Sequence, residues 1–188
     1  NEYIMSSKDL CTISFLDQVI EAGIRILKIE GRGRSPEYVK VTTQCYREAA
    51  DSYIEGSYDQ KKVNEWISRL KTVYNRGFWD GYYLGQKLGE WSNIYGSKAT
   101  KKKIYLGKAK KYFTNLRVAE FDLETMQLNE GDDILITGRT TGVIETIAGE
   151  IRLNDKQVKV VKKGDNFSMK LAHIIRPSDK LYKVVDRE

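Results

Sequence analysis

Three clusters in this 188-residue chain hold side chains that can do chemistry. The first is Ser7-Lys8-Asp9 and the second is Lys28-Ile29-Glu30-Gly31-Arg32. Lysine, carboxylate and arginine gathered at one sheet edge can bind an anionic substrate or move protons. Lys8, Asp9, Lys28, Glu30 and Arg32 are therefore the candidate catalytic residues. The same five could form an ion-pair network that only locks a rim, and spacing leaves both readings open. The third cluster is Lys101-Lys102-Lys103 with Lys108, Lys110, Lys111, Tyr112 and Phe113. Lysines meet phosphates and an aromatic ring stacks a base, so these eight are the candidate nucleic-acid-binding residues. Strand alternation puts Lys108, Lys110 and Tyr112 on one face and Ala109, Lys111 and Phe113 on the other. A solvated edge strand guarded by lysines would read the same way.

Other motifs carry less. Gly31-Arg32-Gly33-Arg34 is a short glycine-rich loop that lacks the nucleotide fingerprints. Gly138-Arg139-Thr140-Thr141-Gly142 reads as a hairpin turn. His173 lies in an apolar run and reads as a core histidine. There is no Gly-x-Ser-x-Gly element. Cys11, Cys45 and His173 supply too few ligands for a zinc site held by this chain. Two cysteines at this separation make no disulfide framework, and reduced thiols fit a cytoplasmic protein.

The first two clusters need strands to present them. Residues 3–5 read as a short strand, 15–22 as a helix stopped by Gly23, and 24–29 as a second strand. Ser35-Pro36 starts a helix reaching about residue 55, with Ser as cap and Pro in the first turn. This βαβα order implies parallel strands with ligands at their carboxyl ends, where both clusters fall. Asp59 caps a third helix with an apolar stripe of Val63, Trp66, Ile67, Leu70, Val73 and Tyr74. Residues 78–85 read as a packed aromatic loop, 91–100 as a linker. From Lys101 the apolar period becomes two. Strands are expected at 103–112, 117–123, 133–137, 140–147, 150–153, 157–161, 166–171 and 180–185, the rhythm of a small antiparallel barrel. Gly131-Asp132 and Gly164-Asp165 mark two similar turns, with Ser178-Asp179 a weaker echo.

Composition agrees with two units. Only 2 Pro against 20 aromatic residues excludes collagen-like and disordered classes. No apolar run is long enough for a transmembrane helix, so no membrane partner is expected. The net charge of +6 is lopsided: residues 1–97 hold 13 basic and 13 acidic side chains, and 98–188 hold 19 and 13. Between Trp91 and Ala119 there is no acid. Such an excess favours an anionic partner.

Tyr3-Ile4-Met5-Ser6-Ser7-Lys8-Asp9-Leu10-Cys11, Glu21-Ala22-Gly23 and Leu27-Lys28-Ile29-Glu30-Gly31-Arg32 resemble the late blocks of the collagenase-like peptidase family U32. Pro36-Glu37-Tyr38-Val39, Tyr46-Arg47, Asn75-Arg76-Gly77-Phe78 and Gly81-Tyr82-Tyr83-Leu84-Gly85 continue the likeness. Residues 95–188 are similar to the family's C-terminal β-barrel, itself like the second domain of translation elongation factors. The resemblance implies a C-terminal fragment: the end of a TIM-type barrel over 1–90, a linker over 91–100 and a β-barrel over 101–188. The chain begins Asn1-Glu2-Tyr3, with Met5 its first methionine, which fits a piece of a longer protein. Relatives carry an upstream cysteine-rich signature that in some holds an iron–sulfur cluster. Cys11 and Cys45 match no cluster ligand, so no cofactor is expected in the fragment. Family members include peptidases, proteins that hydroxylate uridine or cytidine in tRNA or ribosomal RNA, and proteins of oxygen-independent ubiquinone synthesis. The lysine-rich unit favours RNA as partner. The alternative is a protease whose barrel binds protein, with a peptide substrate. The fragment alone is expected to be inactive.

Overall fold

The computed structural model describes residues 7–93 and 96–187. The chain divides into two compact units, Asn1–Thr100 and Lys101–Arg187.

The first unit contains β1 (Asp9–Leu10), α1 (Leu16–Glu21), α2 (Pro36–Ile54), α3 (Gln60–Thr72) and β2 (Phe78–Trp79). Pro36 occupies the first turn of α2, where its missing N–H costs nothing, and Ser35 before it is extended but makes no side-chain capping bond. Gly56, at φ +69°, follows the helix end. Asp59 caps α3 by accepting the Lys62 N–H at 2.8 Å. Val63, Trp66, Leu70 and Val73 then pack on Val41, Cys45 and Ala49 of α2 and on Cys11, Ile13 and Leu16, making one small core. The unit's strand pairing is short: β1 and β2 are parallel, with Asp9 opposite Phe78 and Leu10 opposite Trp79.

Three expectations change here. Residues 24–29 form no strand, and Ile26 is 87% exposed. A β-branched run becomes a strand only when its amides find a partner, and none of the described residues pairs with this one. The parallel partner of β1 is instead the aromatic segment 78–79, read from sequence as loop. Residues 91–93 and 96–100, within the stretch 91–100 read as a linker, are held to the first unit. Lys98 N–H donates to the Asn75 carbonyl at 2.6 Å and Thr100 N–H to Lys71 at 2.9 Å. Ser92 and Ala99 are buried. The strand expected at residues 3–5 lies outside the described residues.

The second unit is all β: β3 (Lys101–Phe113), β4 (Val118–Leu123), β5 (Gln127–Asn129), β6 (Asp133–Gly138), β7 (Gly142–Ile147), β8 (Ile151–Leu153), β9 (Lys156–Val158), β10 (Val160–Lys162), β11 (Asn166–Lys170) and β12 (Lys180–Asp186). Eight form one antiparallel sheet in the order β7-β6-β12-β3-β4-β11-β8-β9, and β5 pairs with β10 apart from it. The run 157–161, expected as one strand, is split between the two sheets. Alternate residues fill one core, including Leu106, Phe121, Ile134, Ile136, Phe167 and Leu181, with the Phe121 and Phe167 rings stacked at 5.5 Å. The three aspartate turns share a device. Asp132, Asp165 and Asp179 each accept the backbone N–H three residues earlier, from Asn129, Lys162 and Arg176, at 2.7–2.8 Å. Two glycines are needed for close approach. A Cβ at Gly107 would overlap the Asp122 carbonyl, and one at Gly138 would overlap the Asp179 carboxylate. His173 lies exposed in the β11–β12 loop, not in the core. That loop buries Leu171 and Ile175 instead.

Candidate functional site

In the first unit Asp9 is the centre of a polar cluster. Its Oδ2 accepts the Arg76 backbone N–H at 2.8 Å and its Oδ1 faces Arg34 Nη2 at 3.3 Å. The Arg34 guanidinium lies 4.0 Å from the Tyr74 ring centroid and 5.5 Å from that of Tyr38. With both oxygens engaged, Asp9 is a fixed anion that orients Arg34. Lys8 pairs with Glu90. Lys28, Glu30 and Arg32 are all exposed on the irregular segment before α2, where Glu30 Oε1 accepts the Arg32 N–H at 2.7 Å. The fold thus brings Asp9 together with Arg34 and Arg76 and ties Lys8 to Glu90. Lys28, Glu30 and Arg32 form a separate exposed group. Arg34 was visible in the Gly-Arg-Gly-Arg loop, but nothing local pointed to its contacts with Tyr38 and Tyr74.

Below Asp9 the buried residues are inert. Tyr46 Oη accepts the Thr12 N–H at 2.9 Å and donates to Cys11 Sγ at 3.8 Å. Burial raises the Cys11 thiol above its ordinary range and pushes Cys45 up to about 11. Protonated, buried thiols are poor metal ligands and poor nucleophiles. No group of three His, Cys, Asp or Glu among the described residues could hold a metal ion. Two buried, protonated thiols among the described residues are too few to hold an iron–sulfur cluster.

In the second unit the acid-free segment is acid-free only along the chain. Strand β4 lies beside β3 and presents Glu120 and Asp122 outward, with Glu124 just beyond. Lys110 Nζ is 3.5 Å from Glu120 and 3.9 Å from Asp122, and Lys108 Nζ is 3.2 Å from Glu124. Glu124 also accepts the Tyr105 hydroxyl at 2.7 Å, and this bond, with Lys108, holds its carboxyl below the usual range. Burial, reinforced by Glu124, pushes the Tyr105 phenol up to about 12. Lys101 faces Asp133 at 3.8 Å, and Lys103 lies 4.9 Å from the Tyr182 ring centroid. Lys102 is exposed on the same strand. The sequence signal for these partners was the strict alternation Glu120-Phe121-Asp122-Leu123-Glu124, with the apolar members facing the core.

A bulge also rearranges the expected faces. The β3–β4 register shifts between Ala109 and Lys111, so Ala109 opposes Phe121 while Lys111 opposes Glu120. One extra residue reverses the alternation beyond it. Tyr112 consequently turns inward, packs on the core and donates its hydroxyl to the Leu171 carbonyl at 2.9 Å. Lys111 and Phe113 turn outward, with Lys111 Nζ 4.8 Å from the Phe113 centroid. The grouping of Tyr112 with Lys108 and Lys110 is therefore corrected. The exposed aromatic ring is Phe113.

A family model described as Peptidase family U32 matches residues 1–93. The chain is 53% identical over 188 residues to a protein named Collagenase from Porphyromonas gingivalis, covering 100% of this chain and 45% of that one. It is 36% identical over 184 residues to an uncharacterized protease of Methanocaldococcus jannaschii, covering 96% and 44%. It is 28% identical over 153 residues to tRNA hydroxylation protein P of Escherichia coli, covering 69% and 33%. The last match is too long to lie within the first unit alone. The chain spans half or less of the length of these three relatives.

Proposed function

We propose that this chain, which belongs to peptidase family U32, is the C-terminal part of an RNA-modifying protein. Its second unit grips tRNA or ribosomal RNA for uridine or cytidine hydroxylation. The reading includes a β-barrel of the translation-factor kind and a first unit that completes a TIM-type barrel with upstream sequence. It places the protein in the cytoplasm. No helix among the described residues is long and apolar enough to cross a membrane. The observation that carries the reading is the location of the charge: the whole excess of +6 lies in the second half of the chain. Likeness to a protein named for tRNA hydroxylation, reaching into that half, supports it. Lys8, Asp9, Lys28, Glu30 and Arg32 are the catalytic candidates of the complete protein, and any iron–sulfur cluster belongs upstream.

Binding of tRNA by the 188-residue chain across a salt series tests this. Each single-strand phosphate neutralised adds about −0.7 to the log–log slope, so four contacts give about −3. Absent or salt-independent binding overturns the reading. Higher identity to a collagenase-named relative favours a second reading, a peptidase whose second unit binds protein. Under it the full-length protein cleaves gelatin and loses that activity in Glu30→Gln. Intact gelatin with wild-type protein counts against it.

A further inference from the structure

We propose that the β3–β4 hairpin tip and the β11–β12 loop form one single-strand RNA-binding lip, with Phe113 stacking an unpaired base and Lys111, Arg117, Lys170 and Arg176 meeting phosphates. The inference rests on the RNA reading above and narrows it to one end of the second unit. Backbone contacts put the two segments together. Leu171 N–H donates to the Arg117 carbonyl at 2.9 Å and Ser178 N–H to Ala109 at 2.8 Å. Lys170 stands opposite Val118 at the base of the tip.

The chemistry of this end differs from that of the strand below it. Residues 109–117 and 170–178 contain no acid. Among the described residues no carboxylate reaches ion-pair distance of Lys111, Arg117, Lys170 or Arg176, whereas Lys108 and Lys110 are already paired. A paired lysine must give up its carboxylate before it releases counterions to a phosphate, and an unpaired one need not. All four lip cations are exposed, as are His173, Phe113, Leu116 and Ile174. Exposed rings and aliphatic side chains amid unpaired cations suit splayed, unstacked bases better than a duplex backbone. With Lys111 Nζ 4.8 Å from the Phe113 centroid, a phosphate that meets this ammonium keeps its own base within reach of the ring. Arg117 adds a second kind of observation. Its φ of +52° is a left-handed conformation that glycine or asparagine adopts with less strain. A cation is held at a turn position where the backbone favours another residue.

The test is fluorescence anisotropy of the 188-residue chain with a labelled, unstructured RNA oligonucleotide across a salt series. Lys111→Gln with Arg117→Gln should weaken binding at least about ten-fold and flatten the slope by about 1.4. Lys108→Gln with Lys110→Gln should weaken binding less than the lip pair does, because these lysines are already paired with Glu124, Glu120 and Asp122. Phe113→Ala should lose about ten-fold, and Phe113→Tyr should restore it. Arg117→Gly should bind more weakly while its melting temperature stays equal or rises, which a purely structural role would not produce. If wild type binds RNA and the lip variants bind as tightly, the lip is wrong and the RNA reading stands. If wild type binds no RNA at any salt, both fall.

Discussion

The two units bury their apolar side chains to different degrees. In the second, every long strand contributes to one core, and few large apolar residues are exposed, among them Leu116, Met126 and Ile174. In the first, a small helical core coexists with Ile26 at 87% exposure, Leu88 at 83% and Ile54 at 76%, and with exposed Tyr82, Tyr83, Leu84 and Trp91. The contrast follows from pairing. Antiparallel strands joined by short turns satisfy each other's amides within 87 consecutive residues. Among the described residues the first unit has a two-residue parallel pair and a β-branched run that pairs with none of them. The second unit should therefore be the more stable and should unfold in its own transition.

Phe121→Ala is the strongest way to break that contrast. It empties half of the stacked Phe121–Phe167 pair and should cost the second unit about 3–5 kcal/mol. In denaturant melts followed by far-ultraviolet circular dichroism, only the β transition should move. A matching shift in the helical transition would mean that the units unfold together. Alkaline pH should sharpen the contrast. Burial raises Cys11, Tyr46 and Tyr58 in the first unit and takes Cys45 to about 11, whereas in the second Tyr105 is the one raised phenol among those resolved. A raised folded-state value means the unfolded chain releases its proton first. The stability is whole below the ordinary thiol value of 9.0 and is lost as pH climbs through about 11. Between those limits the first unit should lose on the order of 1–3 kcal/mol, and the second less. The smallest effect is Asp9→Asn. It removes the charge facing Arg34 but keeps an acceptor for Arg76, so the first transition should fall by about 1 kcal/mol with the second unchanged. A shift in both would again join the units.

Much of this was legible in the residues. Ser35-Pro36, Gly56 and Asp59 bracket α2 and α3 closely, because caps and breakers act on their own neighbours. The β rhythm from Lys101 was readable for the same reason, with turns fixed by Gly131-Asp132 and Gly164-Asp165. What failed were statements about partners. The segment 24–29 has every local mark of a strand and pairs with no strand among the described residues. The lysine cluster looked unopposed because its acids, Glu120, Asp122 and Glu124, arrive from the next strand after a reversal. Arg34 came to Asp9 across the whole of α1. None of these distances is written in local periodicity.

The extra residue in β3 works as a change of reading frame. Before it, odd and even positions face one way; after it, the assignment is exchanged. Removing the extra residue between Ala109 and Lys111 would restore regular alternation and leave Tyr112 facing the core and Phe113 facing solvent, because both keep their partners on β4. Were the bulge ironed out at unchanged length, Phe113 would turn toward the core, and Tyr112 would be carried out to solvent with its bond to Leu171 broken. Any comparison of this strand with a relative lacking the insertion must place the gap there. Otherwise a structural tyrosine will be matched to a surface ring.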